Sequence, residues 1–446
     1  MVEIAIRSVS ILAPTAMALG RALIVAGLAI ALAGGLAAWL GAQRGRAEKW
    51  AWVLLLAPLF TPPLLISYAY ARVAITAPPW GRELLYLAVL ALKLAPVAVL
   101  VATLLPSPLS AAARHLYREQ ARPNTGQLLL FHLRGAGEGL RLGAALVFLV
   151  AFADFELASL WSLRSWTVTI FDAQVGGLAL GDTLRLAALP LFVEIGVLAL
   201  LARRRPAAGK APPVLAPDRR HAPWIYLGAV SLVVTVLPLV LIAGQAAAGL
   251  RSLTEHFVLG REIGVSMLFA AAAAICAQAL ASLAPLRFAR ALAAPGLLGA
   301  LVLALVVLAL FQTPPLRWAY DTPLPLVLTL TALLLPLALL LRALWQRRSP
   351  ALHLAMQSAH PQLRWHLHTR PRALAPGLLF GWAYFEFTAS SILAPIGFTP
   401  VFSRLHNLAH YGQTAVLSAM LLAAFVVPIL AVLLAGGVAR FSTSRR

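Results

Sequence analysis

The chain has 446 residues, of which 61% are hydrophobic and 11% charged, and its mean hydropathy is +0.86. A soluble globular protein is about half apolar and about a quarter charged, so this composition excludes that class and predicts an all-α, polytopic membrane protein. The formal charge of +21 does not predict a nucleic-acid partner, because Arg and Lys fall in short loops between apolar runs, where they act as topology determinants.

Residues 1–18 hold Glu3 and Arg7 with a short apolar run and no clear cleavage site, so no signal peptide is expected. Apolar stretches of about twenty residues, the length that crosses hydrocarbon, follow near 20–42, 51–71, 84–105, 140–161, 183–202, 223–245, 263–284, 293–312, 324–345, 373–395 and 413–438. These predict about eleven transmembrane helices. A barrel is not expected, since short alternating strands are missing.

Alternate loops carry most of the cations, among them Arg44, Arg122, Arg203, Arg287, Arg364 and Arg440. That bias predicts a cytoplasmic C-terminus and an outside N-terminus. Trp80, Trp161, Trp166 and Trp224 sit at expected helix ends and read as interfacial anchors. The Pro- and Arg-rich segment 206–222 reads as a cytoplasmic linker between a first half, 1–205, and a second half, 223–446. The halves match in order, and TPPLL at 61–65 and TPPLR at 313–317 fall at similar points. A repeat of this size predicts a pathway between halves.

Each half also holds a basic loop of roughly thirty residues, at 106–138 and 346–372, followed by an apolar helix with an acid and an irregular exit. The acids are Asp154 and Glu156 in the first half and Glu386 in the second, where the helix is expected to break at Ala394-Pro395-Ile396-Gly397. A carboxylate facing lipid at the bilayer centre costs about 2.5–3.5 kcal/mol on insertion scales. These acids are therefore expected to face protein or a wet cavity, as a path lining or as a packing brace. Lys93 is a further path candidate whose long stem also allows snorkelling. Glu194 lies mid-run with no partner named by the sequence.

Several motifs carry a resemblance: ALVFLVAFADFELASL at 145–160, with its acid-Phe pair Asp154-Phe155, and EFTASSILAPIGFTPVFSRLHNLAHYG at 386–412. With RALIVAGLAIALAGGLAAWLGAQRGR at 21–46 and LLLAPLFTPPLLISYAY at 54–70, the chain resembles the fused, two-half permeases of ABC importers of the ferric-iron and thiamine type. The resemblance implies a type I importer fold, a bacterial inner-membrane location and alternating access. It also implies separate cytoplasmic ATPase subunits and an extracytoplasmic substrate-binding protein, with membrane lipid around the helices and no cofactor. The family's coupling motif, Glu-Ala-Ala followed by Gly, aligns with Ala111, Ala112, Ala113, Arg114 and Tyr117, and with Leu354, Ala355, Met356 and His360. Neither copy keeps the Glu or the Gly.

Metal binding is not expected. The lone Cys276 excludes a disulfide and a thiolate cluster, and His353, His360, His366 and His368 lie among Arg residues with no acid. His406 and His410 form an i, i+4 pair at the outer exit. No GxxxxGK[ST], HExxH or GxSxG motif occurs, so no ATPase, zinc-protease or hydrolase site is expected in this chain. Two rival readings remain: a secondary transporter with its own substrate and ion sites, and a permease-derived membrane scaffold.

Overall fold

A computed structural model describes residues 10–43, 45–104, 137–203, 221–251, 258–285, 288–346, 370–412 and 414–444, with isolated residues 116, 119 and 127. Among the described residues every regular element is helical. Six helices among the described residues are long and apolar enough to cross a membrane, or eight if two sharply bent pairs each count as one span. The protein is a multi-pass membrane protein. Both aligned coupling motifs and nearly all of the linker lie outside the described residues.

The chain forms two compact units, residues 1–238 and 239–446. The first contains α1 (Leu12–Ala42), α2 (Gly45–Phe60), α3 (Pro63–Thr76), α4 (Pro79–Leu104), α5 (Gly137–Phe152), α6 (Glu156–Leu160), α7 (Trp166–Val175) and α8 (Leu180–Ala202). It ends with α9 (Ala222–Ser231) and a π-helical turn, Leu232–Val236, which lead into α10 (Leu237–Gly249). Helices α1, α4 and α5 pack on one another, and α6 rests on α3.

The second unit adds α11 (Val258–Leu283), α12 (Ala289–Leu297), α13 (Ala300–Phe311), a 3-10 turn at Arg317–Ala319 and α14 (Leu324–Gln346). It continues with α15 (Arg370–Tyr384), α16 (Thr388–Leu393), α17 (Val401–Ala409) and α18 (Ala415–Ser444). Here α11, α14 and α15 pack together, and α16 rests on α13. The same succession therefore occurs twice: a long helix, a bent pair, a long helix, a helix that stops at an acid, a short helix, an exit helix and a closing long helix.

Four expected helices are interrupted in ways that hydropathy does not reveal, two by sharp bends and two at acids. The stretch 51–71 bends by 72° between α2 and α3, and 293–312 bends by 106° between α12 and α13. The first bend is chemically explicit: Pro62 and Pro63 lack N–H groups, and proline disfavours helical backbone at the residue before it, Thr61. The second falls at Leu298-Gly299, so TPPLR at 313–317 does not mark the corresponding point; it lies in the turn after α13. The other two interruptions fall at the acids. Helix α5 ends at Phe152 and α15 at Tyr384, so Asp154 and Glu386 lie in breaks and not inside helices. Glu156 alone is helical, at the first position of α6.

Candidate functional site

A helix that stops inside a membrane leaves N–H and C=O groups that lipid cannot satisfy. In the first unit the Asp154 Oδ2 accepts the Ala158 N–H at 3.2 Å, which caps α6, and the Tyr86 hydroxyl of α4 at 3.1 Å. The Thr167 hydroxyl donates to the Asp154 carbonyl at 2.8 Å. The Trp166 indole donates to the Phe152 carbonyl at 2.8 Å, closing the end of α5. The Trp161 indole donates to the Ser67 carbonyl at 2.9 Å and ties α6 to α3. Both indoles are fully buried, so Trp161 and Trp166 are not interfacial anchors. Trp166 supplies an N–H group that the break requires, and Trp161 joins α6 to α3. Trp80 is 68% exposed and keeps the anchor reading.

The second unit solves the same problem with Glu386. Its carboxylate accepts the Ala389 N–H at 3.1 and 3.0 Å and the Ser390 N–H at 3.3 Å, capping α16. The Ser390 hydroxyl returns a bond to the Glu386 carbonyl at 2.9 Å. Phe155 and Phe387, each following its acid, are both buried. The two pairs thus share one local device, an acid that caps the next short helix followed by a phenyl ring in the core. Glu386 also lines a small cleft with Ser266, Phe269, Leu326, Leu330, Tyr384 and Ser390.

Exit segments are fastened to the first helix of each unit by charges that the sequence did not single out. Buried Arg21 on α1 donates through Nε to Glu83 at 2.8 Å and through a terminal nitrogen to the Arg164 carbonyl at 2.6 Å. Its guanidinium also lies 5.6 Å from the centre of the Tyr86 ring, so one cation orders the tyrosine that bonds Asp154. In the second unit Arg404 on α17 pairs with buried Glu262 on α11 at 2.7 Å, and the Val401 N–H bonds the Ser266 hydroxyl at 2.9 Å. A lone Arg21 in an apolar run is the signal that points to such a pair. Arg21→Met is expected to lower the melting temperature and to free the 164 loop, because it strands a half-buried Glu83; an unchanged melting temperature rejects the clamp.

Lys93 is buried and donates to main-chain carbonyls at the end of α2. It does not snorkel. Glu194 is wholly buried in α8, and Cys276 is exposed. His406 stacks on Phe387 with ring centres 4.2 Å apart, and His410 lies edge-on to it at 4.6 Å. No group of three or more His, Cys, Asp or Glu side chains suited to a metal occurs among the described residues.

His406 lies outside the candidate spans, and burial together with His410 pushes its pKa down to about 3. An unfolded histidine titrates near about 6.5. Between those values the unfolded chain binds the extra proton, so His406 costs stability as pH falls from about 6.5 towards about 3. The melting temperature of the wild type is therefore expected to fall more steeply with acid than that of His406→Leu. Parallel acid limbs count against this.

No known protein family, curated protein or solved structure matches the chain.

Proposed function

We propose that this protein is the transmembrane permease subunit of an ABC-type importer of the ferric-iron and thiamine group, moving a small solute across a bacterial inner membrane. The observation that carries the reading is the acid-capped break, which occurs once in each unit at the same place in the same succession of helices. Bent helices and breaks lined by acids are where membrane transporters place their pathways. Counting each bent pair, the two shorter apolar helices, and α15 with α16 as one crossing each brings the six spans to eleven. That number and the loop charges support an outside N-terminus and a cytoplasmic C-terminus.

In this reading a soluble binding protein delivers substrate at the outer face, and ATPase subunits grip the basic loops 106–138 and 346–372 to drive alternating access. Asp154, Glu156, Glu386 and Lys93 line or brace the path. Purification of the full chain from native membranes, with cross-linking from positions 113 and 355, is expected to recover an ATP-binding subunit. Solute uptake by the chain alone, driven by an ion gradient with no ATPase bound, selects the secondary transporter instead.

Orientation has its own test. After Cys276 is replaced, cysteine at Arg122 or Arg364 is expected to resist an impermeant thiol reagent added outside intact cells. Ready labelling at either position reverses the topology.

A further inference from the structure

Lys93 sits in the middle of α4 and is only 6% exposed. Its Nζ donates to the carbonyl oxygens of Pro58 at 3.3 Å and Leu59 at 3.4 Å, and most closely to that of Thr61. The sequence explains why these oxygens are available. In a continuous helix the Pro58 and Leu59 carbonyls would accept the N–H groups of residues 62 and 63. Both of those residues are proline and have none. The carbonyls at this end of α2 also carry the negative pole of the helix dipole. The Pro-Pro pair therefore leaves two of the three oxygens of this cup without helical donors, buried where no lipid group replaces them.

Polar bonds join the bend that carries the cup to a neighbouring turn. The Thr61 hydroxyl bonds the Thr235 hydroxyl at 2.8 Å, and the Tyr70 hydroxyl donates to the Val233 carbonyl at 2.6 Å. Thr235 and Val233 belong to the π-helical turn Leu232–Val236, a geometry that often accompanies functional sites. The Ser231 hydroxyl donates to the Leu54 carbonyl at 2.7 Å, fastening that turn to α2.

We propose that this carbonyl cup is a binding site for a small monovalent cation of the ammonium or potassium class, which Lys93 fills as a built-in ligand. Three oxygens converge on one ammonium, whose three N–H donors match them in number. A guanidinium presents its donors in a flat, rigid fork and cannot converge them in this way. The cation holds the end of α2 against α4 and so maintains the 72° bend.

Lys93→Met keeps the apolar stem and removes the ammonium. The full-length variant, purified in detergent, is expected to melt well below the wild type in tetramethylammonium chloride, a cation too large for the cup. At least half of the lost melting temperature is expected to return in ammonium or potassium chloride at equal ionic strength. The wild type, its cup already filled, is expected to melt at the same temperature in all three salts. Three results overturn the proposal: no loss in Lys93→Met, a loss that ammonium and potassium leave unchanged, or a wild type that responds to the salts as the variant does.

A measurement on the wild type keeps the proposal open to refutation if the variant does not fold. The chain's other lysines are Lys49 and Lys210, and reductive methylation read by mass spectrometry is expected to modify Lys49 in the folded protein. Lys93 is expected to react only after unfolding. Methylation of folded Lys93 at the rate of Lys49 overturns the filled cup.

Discussion

Gly296→Ala is expected to prevent recovery of folded protein, or to lower its stability by about 3 kcal/mol or more, the upper end of overpacking costs. Gly296 lies near the end of α12, where that helix meets α14. A Cβ at this position would stand 2.0 Å from the Ala332 carbonyl oxygen, 2.9 Å from its carbon and 2.7 Å from Pro336 Cδ. None of these is the tip of a flexible side chain, so only separation of two helices relieves the overlap. Small residues permit this kind of backbone approach between membrane helices, where packing supplies much of the association energy. Gly260 on α11 meets nothing within 4 Å of an added Cβ, which makes Gly260→Ala the matched control. It is expected to be neutral or slightly stabilising, since alanine is the better helix former by about 1 kcal/mol. Equal yields and melting temperatures for the two variants reject the close packing of α12 on α14.

The long spans were legible because twenty apolar residues have few alternatives in a chain this poor in charge. One break was read, at 394–397, where proline and glycine mark it; the bends at Pro62-Pro63 and Leu298-Gly299 fall inside stretches expected to be single helices. Pro395 and Gly397 drew the second break towards 394–397, and Gly397 does turn the chain there with φ +83. The interruption at 385–387 has neither residue. It arises because the Glu386 side chain takes N–H groups that a continuous helix would bond to carbonyls four residues earlier, a local competition that hydropathy does not register. The tryptophans show the complementary failure. An indole near a helix end suits an interfacial anchor and a buried N–H donor equally well, and the Ser67 and Phe152 carbonyls that decide between them lie 94 and 14 residues away in sequence. Arg21 and Glu83 are likewise 62 residues apart. Asp154, Glu386 and Lys93 stood out because ionisable groups in apolar runs are few; their partners are main-chain atoms, which no residue pattern names.

Glu386→Gln and Glu386→Ala are expected to separate strongly, and the first unit supplies a second copy of the test. Ala389 and Ser390 are buried, and their N–H groups depend on the Glu386 carboxylate. Alanine leaves both without that acceptor, at about 1–3 kcal/mol for each buried group left unsatisfied. Glutamine retains a carbonyl oxygen at nearly the same reach, so its cost is expected to stay near the loss of a charge-assisted cap, about 1 kcal/mol. Asp154→Ala is expected to cost more than Glu386→Ala. It removes the acceptor of Ala158 and also that of the Tyr86 hydroxyl, whose ring lies against the Arg21 guanidinium. Asp154→Asn retains one oxygen for two donors and is expected to fall between. Melting temperatures in detergent establish the order, and solute uptake by the stable amide variants then isolates charge from structure. Uptake at the wild-type rate by Glu386→Gln confines the carboxylate to capping α16. Loss of uptake with an unchanged melting temperature assigns its charge to the path through the adjoining cleft.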